Sequence, residues 1–154
     1  MANRIKTTTN DNTAPALFWC TAVLSVIGTA DAIYLLIYKL TGNPHMCLGN
    51  GGCHNVNFSP YSEISGIPIS VFGLFAYLAI LCILALEARI KIAKENGLLA
   101  IFGISLCGVA FSFYLTYLEI YVIHAICPFC VISAISITFI FILAIIRLVK
   151  QTAN

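Results

Sequence analysis

Apolar residues gather into four long runs separated by polar breaks. Leu17–Tyr38 carries a single charge, Asp31; Ile67–Leu86 and Leu98–Leu118 carry none; Ala125–Ile146 carries none before Arg147. A helix rises about 1.5 Å per residue, so about 20 residues cross the roughly 30 Å of bilayer hydrocarbon. Each run is long enough. None has the short alternating segments of a membrane β-barrel. The pattern predicts an all-α integral membrane protein, a bundle of four transmembrane helices.

Composition narrows the class. The chain has 154 residues, 60% hydrophobic and 9% charged, with a formal charge of +2; soluble domains are about 25% charged. A soluble α/β enzyme, a disordered chain and a nucleic-acid binder are excluded, the last for want of a basic surface. Four crossings leave only short tails and loops, so one domain over 1–154 is expected, without a fused second domain. Leu17–Tyr38 is too long for a signal-peptide core and lacks a small-residue cleavage site, which makes it an anchor helix.

Charge sets the orientation. Arg4, Lys6, Arg89, Lys91, Lys94, Arg147 and Lys150 fall on one side and Lys39 alone on the other. Because Lys and Arg in short loops stay inside, both termini are expected in the cytoplasm. The 26-residue segment Thr41–Gly66 and the turn at His124 then face outward.

Seven cysteines sort by depth on this topology. Cys20, Cys82 and Cys107 lie inside apolar runs and read as small hydrophobic packing residues. Cys47, Cys53, Cys127 and Cys130 lie on the outer side, where an oxidising compartment permits disulfides. They group as Cys47 with Cys53 and Cys127 with Cys130. The first pair brackets Leu-Gly-Asn-Gly-Gly, and a disulfide closing so small a ring removes little loop entropy, which favours a redox role over a staple.

The second pair, Cys127-Pro128-Phe129-Cys130, opens the last helix. Proline suits the first helical position, and a thiolate at a helix N-terminus is stabilised by the dipole. Three helical residues carry Cys130 about 4.5 Å deeper than Cys127. Cys127 faces the water boundary and Cys130 the hydrocarbon, so electrons brought by the outer loop can pass to an acceptor that lives in lipid, for which a quinone is suited. His45, His54 and His124 near the cysteines raise zinc binding as a rival. The five residues between Cys47 and Cys53 fit poorly the two-to-four spacing of structural zinc sites. A scaffold whose outer disulfides only brace loops is a second rival.

Lined up together, these motifs resemble the bacterial and archaeal homologues of vitamin K epoxide reductase, over about Gly28 to Leu143. The resemblance is carried by Asp31-Ala-Ile-Tyr-Leu35, Cys47 and Cys53, Asn57-Phe-Ser-Pro-Tyr-Ser62, Gly66-Ile-Pro-Ile-Ser-Val-Phe-Gly73, and Tyr114-Leu-Thr-Tyr-Leu-Glu119 followed by Ile126-Cys-Pro-Phe-Cys-Val131. It implies a four-helix bundle around a quinone, capped by the first outer loop with a short surface helix. It also implies electron flow from a separate thioredoxin-like (DsbA-like) extracytoplasmic partner to the loop cysteines, then the CxxC pair, then quinone. Such a protein would be a quinone-dependent thiol-disulfide oxidoreductase of the cell membrane, supporting disulfide formation in exported proteins. By the family pattern Cys53 faces the partner and Cys47 attacks Cys127, while Cys130 reduces the quinone; depth alone fixes only the last two and leaves the loop order open.

Ser59 matches the family's active-site serine, with a turn-capping role as its other reading. Phe111 and Tyr114, three residues apart on one helix, are candidate quinone walls. In the mammalian branch an asparagine before the second helix and a tyrosine after the CxxC face vitamin K; Ile69 and Ala134 occupy those places here. That favours quinone over epoxide reduction, vitamin K epoxide reduction proper being the alternative. Asp31, an acid inside a membrane helix, is read either as a protonated structural group or as part of a proton path. Glu119 is read as a boundary carboxylate facing water.

Overall fold

The computed structural model describes residues 13–42, 52–89 and 93–152. Cys47 and His45 lie outside them. Four long helices form: α1 (Thr13–Thr41), α3 (Ile69–Arg89), α4 (Ala93–Leu118) and α5 (Pro128–Thr152), with a short α2 (Gly52–Asn57) between the first two. All four long elements are apolar enough to cross a membrane, which makes this a multi-pass membrane protein. They pack in a ring in which α1 touches α3 and α5, and α4 touches the same two.

The sequence dictates this packing by spacing. Tyr77, Ile80 and Leu84 of α3, Ile101 of α4, and Ile137, Ile140 and Ala144 of α5 form the buried core, at the three-and-four intervals of a helical stripe. Large apolar side chains such as Trp19, Phe75, Phe113 and Phe139 are exposed on the outer faces, where lipid rather than water is the solvent. Three hydroxyls within α1 satisfy themselves: Thr21, Ser25 and Thr29 donate to the carbonyls four residues back at 2.8, 2.8 and 2.7 Å. This is how a hydroxyl is tolerated in hydrocarbon.

The helix ends depart from the apolar runs for local reasons. The third crossing does not stop at Leu118 but continues through a π-helical turn, Glu119–Ile123. The fourth starts at Pro128 rather than Ala125, because proline fixes the first helical position. The second starts two residues late, because Ile67–Pro68 pairs antiparallel with Glu63–Ile64 in a hairpin. Its two turn residues, Ser65 and Gly66, have φ of 55° and 81°, the left-handed pair that a type I′ turn requires. At the end opposite α2, Arg147 of α5 donates to Glu87 of α3 at 2.7 Å.

Candidate active site

At the α2 end of the bundle a smaller buried cluster joins Leu35 and Tyr38 of α1, Cys53 of α2, and Cys127. α2 is drawn down on this cluster by close backbone approach. A Cβ at Gly52 would run into the carbonyl oxygen of Ile126, so only glycine lets Cys53 descend this far. Lys39 holds the far side, its Nζ donating to Asn57 O at 2.5 Å and Ser62 Oγ at 2.6 Å and pairing with Glu63 at 3.0 Å. Tyr38 Oη lies 3.3 Å from His54 Nδ1.

The result is a sulfur contact. Cys53 Sγ and Cys127 Sγ lie 3.7 Å apart, both buried. Among the described residues, Cys53 is the loop cysteine set against Cys127, the reverse of the order taken from the family pattern.

Cys127 occupies the N-cap of α5, its carbonyl accepting the Val131 N–H at 3.1 Å. The Cys130 thiol, one turn on, hydrogen-bonds the Cys127 sulfur and pulls its pKa from the ordinary 9.0 down to about 7, outweighing burial, which acts the other way. Phe129 between them packs on Tyr34 of α1, ring centroids 4.6 Å apart.

Glu119 is not a water-facing carboxylate as its place in the sequence suggested. It is 4% exposed, and its Oε2 accepts the Cys127 N–H at 3.3 Å. The wide π turn is the cause. It ends at His124 in the left-handed conformation, with the His124 and Ala125 N–H groups both returning to Glu119 O. The turn holds the carboxylate inward, beneath the CxxC loop. π turns inside helices mark functional sites more often than chance.

Cys130 borders a cavity of about 610 Å³ bounded by all four long helices and the cap, within the range of ligand sites. Of the expected wall residues, Phe111 lines it. Ser59 lies at its rim in the N-cap position of the 3-10 turn Pro60–Ser62, without a side-chain cap hydrogen bond; its hydroxyl donates back to Val56 O at 2.8 Å, a turn contact. Tyr114 does not line it: the ring is 54% exposed. Three residues fall about 60° short of a helical turn, which carries Tyr114 off the stripe that holds Ile104, Gly108, Phe111 and Leu115. Ile69 and Ala134 do line it. Of the three intramembrane cysteines, Cys20 and Cys82 are exposed on the helix faces rather than packed in the core, and Cys107 borders the cavity.

Residues 19–145 match the vitamin K epoxide reductase family. The thiol-disulfide oxidoreductase LTO1 of Arabidopsis thaliana is 33% identical over 113 residues, covering 68% of this chain and 29% of that protein. The chain thus spans less than a third of the length of that curated relative. With the family match running through all four membrane helices and both ends of the sulfur contact, the protein belongs to the vitamin K epoxide reductase family.

Proposed function

We propose that this protein is a quinone-dependent thiol-disulfide oxidoreductase that reoxidises a thioredoxin-like (DsbA-like) protein on the outer side of the cell membrane. The observation that carries the reading is a line of three sulfurs, Cys53 to Cys127 to Cys130, that ends on an apolar cavity within the membrane bundle. The thiol-disulfide chemistry in the name of the Arabidopsis relative supports its first half.

The steps balance as disulfide exchange. The partner's dithiol reduces the Cys47–Cys53 disulfide and leaves oxidised. Cys53 thiolate attacks Cys127 Sγ of the Cys127–Cys130 disulfide, freeing Cys130, and Cys47 then attacks Cys53, so that Cys127 leaves. A low thiol pKa makes a faster leaving group, which suits Cys127 at about 7. The Cys127/Cys130 dithiol finally gives two electrons and two protons to quinone and closes again to a disulfide. Ile69 and Ala134 on the cavity wall offer no polar group at the places that hold an asparagine and a tyrosine in the mammalian branch, which favours quinone over epoxide.

Two experiments test this. Anaerobic mixing of purified protein with a reduced thioredoxin-like protein and a quinone should yield quinol, and Cys127→Ser or Cys130→Ser should abolish it; unchanged turnover in those variants would leave only a braced scaffold. The double variant Cys47→Ala with Cys130→Ala should accumulate a Cys53–Cys127 disulfide, identified by peptide mass spectrometry. A protein that instead keeps both thiols after oxidation would contradict the proposed route.

A further inference from the structure

Asp31 lies well inside α1 and borders the cavity, 8% exposed. Its Oδ2 is buried without a hydrogen-bond partner among the described residues. The ion pairs among the described residues, Lys39 with Glu63 and Glu87 with Arg147, leave it out. Lys39, two turns along the same helix, is committed to the cap. A buried polar atom left without a partner calls for an explanation, and here the open side is the cavity.

The surroundings make that side a polar floor. The Tyr77 ring of α3 passes so close to Gly28, one turn from Asp31, that a Cβ there would collide with it. Its hydroxyl donates to Ser133 O at 2.8 Å and lies 3.1 Å from Ser133 Oγ. Ser133 is one turn deeper than Cys130 on α5. Cys130 therefore looks into the same cavity as Asp31, from nearer the outer surface. Tyr77 and Ser133 satisfy one another, whereas the Asp31 Oδ2 does not find a partner among the described residues.

We propose that Asp31 hydrogen-bonds a carbonyl oxygen of the quinone and gives it a proton as the CxxC dithiol reduces it. The proposal rests on the quinone reading above. With no cation against it, a carboxyl in this setting is held far more cheaply as the neutral acid, and a neutral acid can donate where a carboxylate only accepts. A quinone carbonyl has acceptors and no donor, so it is the complement of that group.

The proton count closes. Cys127 and Cys130 together lose two electrons and two protons as their S–S bond forms, and the quinone gains two of each as its carbonyls become hydroxyls. Asp31 gives one proton to one oxygen. A thiol proton, passed by Glu119, whose carboxylate lies within hydrogen-bond reach of Cys130, goes to the other. The second thiol proton leaves to the outer water, from which Asp31 recovers its own.

The other titratable groups bordering the cavity are Lys39, Tyr61, Tyr77, Cys107, Glu119 and Cys130. The test therefore isolates Asp31 by its own variants. Protein reduced chemically at the CxxC is mixed with quinone anaerobically, and quinol formation is followed in a single turnover across pH. Asp31→Asn should slow the step about 100-fold, the scale of a lost general acid, with quinone KM little changed because the amide still donates. Its pH profile should flatten, and Asp31→Glu should restore both rate and profile. Transfer from a thiol donor to the CxxC should be unchanged in Asp31→Asn, which shows the rest of the site intact.

Wild-type protein gives a further readout that needs no variant to fold. Quinone binding should perturb an infrared band of a protonated carboxyl, and that band should be missing in Asp31→Asn. Wild-type rate and pH profile in Asp31→Asn, or no perturbed carboxyl band in the wild type, would overturn the role of Asp31 and leave the quinone reading standing. Absence of quinol from the wild type would overturn both.

Discussion

The Cys127 sulfur lies between two others, Cys53 at 3.7 Å and Cys130 one turn along α5. The hydrogen bond from Cys130 is the chief reason that its pKa falls to about 7. Because the value is lowered, thiolate should appear as pH rises through neutrality, well below the range of an ordinary thiol. Ultraviolet thiolate absorbance, in protein retaining Cys127 and Cys130 as its cysteines, should show this transition. Replacing Cys130 with Ala should move it upward toward the ordinary range; an unmoved transition would assign the low value to the helix N-terminus instead. Gly52→Ala is the complementary change. It forces the cap off the Ile126 carbonyl, and a displacement of about 1 Å should slow Cys53–Cys127 exchange about 100-fold. Quinone reduction by chemically reduced protein should be spared.

Local signals carried part of this site into the sequence. Cys127-Pro-Phe-Cys130 was legible because a proline at the first helical position and the three-residue step to Cys130 are both short-range facts. The contact of Cys53 with Cys127 spans 74 positions and depends on a glycine meeting a distant carbonyl, so no spacing could order the two loop cysteines. Glu119 departs from the sequence expectation for a related reason. Its inward aim comes from the π turn and the left-handed His124, which apolar periodicity does not register.

Among the elements, the cap and the opposite end of the bundle do different work. The hairpin at Ser65–Gly66 and the Lys39 contacts fix the segment that ends in α3 and roof the cavity. At the other end, Glu87 is buried and meets Arg147 across α3 and α5. Arg147→Met should destabilise the bundle by about 3–5 kcal/mol, the cost of leaving one partner of a buried pair alone. Adding Glu87→Leu should recover most of it, read by thermal unfolding in detergent. Two glycines, Gly73 of α3 and Gly103 of α4, line the cavity and face open space where a Cβ would sit. Leucine at either should fill part of it and raise the KM for quinone, while thiol exchange with the partner proceeds unchanged. The four helices were legible from length and apolarity alone. The cavity wall was only partly so: Phe111 is on it and Tyr114 is not, because a shared helical face is broader than the stripe a cavity uses.

For the whole molecule, the apolar shell has two uses in this reading: it crosses the bilayer, and it dissolves an electron acceptor beside a thiol pair placed at the water boundary. The charge asymmetry supports the proposed orientation, cysteine end outward and both termini in the cytoplasm, under which a reporter fused at residue 154 should read as cytoplasmic. The central claim is that the Cys127/Cys130 dithiol reduces quinone directly. Its most direct measurement is a single turnover of fully reduced protein with quinone in the absence of oxygen and of any partner, reading quinol by absorbance and the cysteines by mass spectrometry. A burst of one quinol per reduced CxxC, with a Cys127–Cys130 disulfide formed in step and no burst in Cys130→Ser, is the expected result. Quinol without that disulfide, or the disulfide without quinol, would contradict it.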